Sequence, residues 1–135
     1  MTNKKNDRQN VVKNTQSLIE AAKFSKQLLS HSGKEAVDAA HSILVFVDAE
    51  MAKILDDFGV SYRPKNADEN DYSVELCTLL NDGKESFCDA IICIKTGDIQ
   101  EAIERTDDGI TEISDSIHHS KNWLSVVNSN QRTID

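Results

Sequence analysis

The side chains with the strongest intrinsic chemistry in this chain are four histidines, three cysteines and a large set of carboxylates. Asp38 with His41 and Asp115 with His118 form two Asp-x-x-His pairs. On a helix that spacing sets a carboxylate and an imidazole on one face, as in metal sites built between the facing helices of a bundle. Such a site needs ligands that converge on the core. Here Asp38 and Asp115 fall outside the apolar seams described below, and His118 points outward beside His119, so no metal site is expected. His41 and Asp48 lie seven residues apart on a seam edge and read as a half-buried histidine hydrogen-bonded by a neighbouring acid.

Glu101 with Glu104, and Glu112 with Asp115, echo the paired acids with which helical enzymes hold magnesium against a nucleotide diphosphate. In those enzymes the pairs face each other from separate helices, whereas all four acids here fall along one. Phosphate-cradling loops of the G-x-x-x-x-G-K-[ST] or G-x-G-x-x-G type do not occur in the sequence. Cys77, Cys88 and Cys93 are odd in number, lack C-x-x-C spacing and sit inside apolar stretches, which predicts reduced, buried thiols. The sequence therefore assigns no catalytic residue, no metal and no cofactor.

Charge is the more informative signal. The formal net charge of −8 conceals an asymmetry: residues up to Lys34 carry +5, and Glu35 to Asp135 carry −13. An acidic body repels nucleic acid and anionic membrane surfaces and attracts basic partners at salt-sensitive rates. Lys4, Lys5 and Arg8 make the first ten residues a basic, polar tail.

These side chains must be positioned by helices. One proline and five glycines in 135 residues favour long helices over a many-turned β fold. Val11, Thr15, Leu18, Ala22, Ser25 and Leu29 step by four and three and predict a first helix from Val11 to about Ser30, with Val12, Ile19, Phe24 and Leu28 widening its apolar face. Ser32 followed by Glu35 reads as a capping box opening a second helix. That helix runs to about Phe58, turns Val37, Ala40, Leu44, Val47, Met51, Ile54, Leu55 and Phe58 inward, and stops at Gly59.

Residues 59–71 read as the longest loop. Tyr72, Val74, Leu76, Thr78 and Leu80 alternate as a strand would, and Asn81-Asp82-Gly83 could turn a hairpin. Two short helices separated by Gly83 are the preferred alternative, because Phe87, Ala90, Ile91 and Ile94 keep helical spacing. After Gly97, Asp98 can cap a last helix with Glu101 three places on. Ile103, Ile110, Ile117 and Leu124 take one heptad position there, and Ile99, Thr106, Ile113, Ser120 and Val127 take the other. The phase is unchanged across Gly109, which predicts one continuous or slightly bent helix, with the polar Thr106 and Ser120 meeting loops or chain ends.

The expectation is thus an all-α, small antiparallel bundle of four to five helices with a long acidic C-terminal helix. Residues 1–10 form a flexible basic tail, 11–127 a single domain, and 128–135 a polar tail. No apolar run approaches the roughly 20 residues of a membrane span, and the start lacks a signal-peptide core, so a cytoplasmic protein is expected. Glu101, Glu104, Asp108, Glu112 and Asp115 step by three or four residues. Their carboxylates would lie about 5 to 6 Å apart, an anionic ridge whose self-repulsion costs a few tenths of a kcal/mol per pair.

These five are the expected partner-binding residues of a non-enzymatic module that takes a basic protein, in the manner of an inhibitor, antitoxin or immunity protein of a nucleic-acid-acting enzyme. A magnesium-dependent nucleotide hydrolase assembled as a helical dimer, or an oligomeric helical adaptor, is the alternative. Direct nucleic-acid binding by the acidic body and membrane association are not expected, and homodimerisation stays open.

Overall fold

The computed structural model describes the backbone of residues 4–31, 33–61 and 67–134 and the side chains of 13–31, 33–56 and 74–119. Among the described residues there are four helices: α1 (Lys4–Leu29), α2 (Lys34–Ser61), α3 (Ala67–Lys95) and α4 (Ile99–Ile134). Among the described residues there is no strand, and no helix is long and apolar enough to cross a membrane.

Among the described residues the helices pack as neighbours in a ring, α1 on α2, α2 on α3, α3 on α4 and α4 on α1. Contacts across the ring fix the directions. Asp48 reaches Lys84 and Cys88 and Met51 lies beside Gly83 between α2 and α3, while Gly83 lies against Ile113 and Phe87 against Gly109 between α3 and α4. In both pairs one number rises as the other falls, so the helices run antiparallel, as short connections require.

The apolar stripes form a core of Leu18, Ile19, Ala22, Leu44, Val47, Met51, Ile54, Leu76, Leu80, Phe87, Ala90, Ile110, Ile113 and Ile117, all buried. A smaller cluster of Leu29, Ala40 and Ala102 closes the end beside the α1–α2 and α3–α4 turns. The periodicities expected for α1 and α2 therefore hold wherever side chains are described, with one exception. Phe24 is 54 % exposed and widens no apolar face, because it projects from the side of α1 opposite the buried Ala22 and Ser25.

Several boundaries differ from the sequence reading. The α1 range takes in residues 4–10, which were read as a tail, and α4 continues through 128–134. Of the 59–71 stretch read as a loop, 59–61 belong to α2 and 67–71 to α3, and 62–66 lie outside the described residues. At the start of α2 the Gly33 carbonyl accepts the Val37 amide at 3.0 Å. Gly33 thereby takes the capping position assigned to Ser32, which lies outside the described residues.

The largest correction concerns α3, which is one helix where a hairpin or two helices were expected. Gly83 does not divide it. A Cβ at Gly83 would stand 2.6 Å from Ile113 Cγ2, so this glycine lets α3 approach α4 closely. A glycine in a helix costs only about 1 kcal/mol, which packing along a 29-residue helix outweighs. The strand-like alternation resolves in the same way: Leu76 and Leu80, four apart, are buried, while Val74 and Thr78 are exposed.

The α3–α4 turn matches the local sequence closely. Gly97 adopts φ +83°, and the Asp98 amide donates to the Cys93 carbonyl (2.9 Å) and the Gly97 amide to that of Ile94 (3.1 Å). This double closure of a helix C-terminus needs a left-handed residue, which glycine supplies. Asp98 then opens α4: its carbonyl accepts the Ala102 amide at 3.0 Å and its side chain the Glu101 amide at 3.2 Å.

Thr106 was expected near a loop or chain end but is fully buried mid-bundle. Its hydroxyl donates to the Ala102 carbonyl at 2.7 Å, so the helix itself satisfies the polar group and permits burial. Ser120, Leu124 and Val127 lie outside the described side chains.

Candidate functional site

Helical spacing places Glu101, Glu104, Asp108, Glu112 and Asp115 along the side of α4 that turns away from its buried residues Ala102, Thr106, Ile113 and Ser116. Glu104, Asp108 and Asp115 are exposed, as the sequence spacing implies. The remaining two are engaged. Glu101 accepts the Arg105 guanidinium at 2.9 Å, and Arg105 also approaches Asp108 at 4.0 Å. Glu112 sits at the boundary with α3, where the Ser86 hydroxyl donates to its carboxylate at 3.3 Å.

Asp107, next to Asp108 in the chain, faces the opposite flank, where Lys26 of α1 pairs with it at 2.7 Å. The compensating cation from α1 thus meets an acid outside the expected set of five.

The contact between Glu112 and Ser86 shows that the anionic surface is wider than one helix. Burial raises the Glu112 carboxyl above its ordinary range, the Ser86 hydrogen bond opposes that rise, and Asp82, Asp108 and Glu85 add to it. Arg105 is held still more firmly protonated by its hydrogen bond to Glu101, and Asp89 and Asp108 contribute. The Ser86–Glu112 contact thus brings Asp82 and Glu85 of α3 within the electrostatic reach of Glu112, and Asp89 within that of Arg105. The sequence reading missed them. The available signal was their spacing by three and four residues on the polar side of α3, obscured by reading that segment as two short elements.

The two Asp-x-x-His pairs do not come together. Asp38, Asp115 and His118 are all exposed, and His119 lies 3.8 Å from Glu75 of α3. Nor does Asp48 hold His41. His41 Nε2 is buried without a hydrogen-bond partner, and Asp48 instead turns across to α3, where Lys84 lies 3.0 Å away. Among the described residues, no three of the His, Cys, Asp and Glu side chains are arranged to hold a metal ion.

Cys77, Cys88 and Cys93 are unbridged and half-buried, where the sequence reading expected buried thiols. Desolvation raises Cys77 above its ordinary thiol value, and the same cause comes first for Cys93 and Cys88. For Cys88 a hydrogen bond to Asp48 adds to the rise.

Fold and site together define a four-helix bundle with a carboxylate-rich flank shared by α3 and α4. No protein-family model matches the chain, and no curated protein or solved structure is significantly similar to it.

Proposed function

We propose that the chain is a non-enzymatic binding module whose acidic flank receives a basic protein, in the role of an inhibitor, antitoxin or immunity protein for a nucleic-acid-acting enzyme. The reading is carried by one observation: Glu104, Asp108 and Asp115 are exposed on the helix face they share with Glu112, and the Ser86–Glu112 contact brings that face beside Asp82 and Glu85 of α3. Concentrated charge of one sign accelerates encounter with a partner of the opposite sign, and a few apolar anchors then slow dissociation. Ile92, 57 % exposed and three residues from Asp89, is suited to be such an anchor.

Glu101 is tied to Arg105 at 2.9 Å and Glu112 to Ser86, whereas Arg105 comes only within 4.0 Å of Asp108, so Glu104→Lys, Asp108→Lys and Asp115→Lys change the exposed charges with least effect on packing. Wild-type and triply substituted chains are immobilised and exposed to the native cell extract. The expected result is a basic protein held by the wild type, released by salt and not held by the variant. Equal retention by both chains contradicts the reading. The alternative magnesium-dependent hydrolase needs acids from two chains to converge, and predicts a magnesium-dependent rise in melting temperature that this reading does not.

A further inference from the structure

Between α2 and α3, outside the acidic flank, three reactive groups meet on a single oxygen. The Cys88 thiol donates to Asp48 Oδ1 at 2.9 Å, and the Lys84 ammonium lies 3.0 Å from the same oxygen. Lys84 Nζ is 3.9 Å from Cys88 Sγ, one helical turn away on α3. The groups oppose one another. Burial is the first cause disfavouring a thiolate at Cys88, the hydrogen bond and charge of Asp48 and the charge of Asp89 add to it, and Lys84 favours the thiolate. Asp48 is on α2 and Lys84 on α3, so separating the helices removes the suppressing Asp48 and leaves the activating lysine beside the thiol. The Asp48 and Lys84 side chains are 27 % and 29 % exposed, within reach of water and small solutes.

We propose that Cys88 is a guarded thiol: Asp48 keeps it protonated while α2 and α3 are together, and Lys84 stabilises its thiolate when they part, making Cys88 a peroxide-reactive sensor of that opening. In the reaction the thiolate sulfur attacks one oxygen of hydrogen peroxide and the O–O bond breaks. That oxygen stays on sulfur as sulfenic acid, and the other leaves as water with the proton the thiol released. Sulfur is oxidised by two electrons and peroxide is reduced by two. A thiolate is the reacting species, so its population sets the rate.

The test replaces the guard without changing its shape. Wild type, Asp48→Asn and Asp48→Asn with Lys84→Met are treated with hydrogen peroxide and a sulfenic-acid trap, and adduct formation is followed at each cysteine by mass spectrometry across pH. Asp48→Asn is expected to speed modification of Cys88 about tenfold near neutral pH and to move the midpoint of its pH profile downward. Adding Lys84→Met is expected to return both towards wild type. Cys77, on the same helix and raised by desolvation, is the internal reference and should not change.

Unchanged Cys88 kinetics in Asp48→Asn overturn the proposal. So does acceleration that survives Lys84→Met, or parallel acceleration at Cys77, which reports general loosening of the fold.

Discussion

The ring of Phe87 occupies the space that a side chain on Gly109 would need: a Cβ there would stand 2.6 Å from ring atom Cε1 and 2.8 Å from Cζ. Phe87 is fully buried, so the ring has little room to yield. With Gly83 set against Ile113 at the same crossing, the absence of two side chains allows α3 and α4 to pack closely.

This relationship predicts the sign of a substitution that helix propensity alone gets wrong. Gly109→Ala gains about 1 kcal/mol of intrinsic helix preference, whereas overpacking a filled core costs about 1 to 3 kcal/mol. The expected outcome in chemical denaturation is a net loss of up to about 2 kcal/mol. With Phe87→Leu in place, Gly109→Ala should become neutral or stabilising, and the double-mutant cycle measures that coupling.

The exposure of Phe24 gives a second contrast. Phe24→Ala should alter stability by less than about 0.5 kcal/mol, the usual range for a surface position, while Ile19→Ala should cost about 2 to 4 kcal/mol. Denaturation midpoints of the two variants settle the comparison, and comparable losses would mean that Phe24 packs in the core.

Glu112 predicts a dependence on pH. Its carboxyl is raised in the fold above the ordinary value of 4.5, so the folded chain binds the proton more tightly than the unfolded chain does. The stabilisation that protonation brings is fully present below the ordinary value and is lost as pH rises through the higher folded value. Glu112→Gln should therefore raise stability at pH 7. It should also remove part of the gain the wild type shows on acidification towards pH 5. Thermal unfolding at both pH values provides the check, and a lower melting temperature for the variant at pH 7 would contradict the assignment.

The parts of the fold that were legible depend on repeated apolar spacing. Thr15, Leu18, Ala22, Ser25 and Leu29 in α1, and Ala40, Leu44, Val47, Met51 and Ile54 in α2, are buried where their period places them. The errors came from residues whose local preference tertiary packing overrides. Gly83 reads as a break until Ile113 is seen against it, and Thr106 reads as peripheral until its hydroxyl is traced to its own helix.

The site was legible in one dimension. Steps of three and four along α4 locate the carboxylates, but they cannot show that Glu112 turns to Ser86 or that Asp82, Glu85 and Asp89 stand alongside. That requires the antiparallel register of α3 and α4. For the same reason His41 was paired with Asp48 along one helix, when the acid's partners lie across the seam on another.

The account stands most directly on the rate at which the captured basic partner binds. Stopped-flow association is measured over a range of salt concentrations for the wild type and for the chain carrying Glu104→Lys, Asp108→Lys and Asp115→Lys. The wild-type rate should fall steeply as salt rises, and the variant should bind at least tenfold more slowly at low salt with a much flatter dependence. Equal rates and equal salt dependence for the two chains would contradict the claim that this carboxylate flank is where the partner docks.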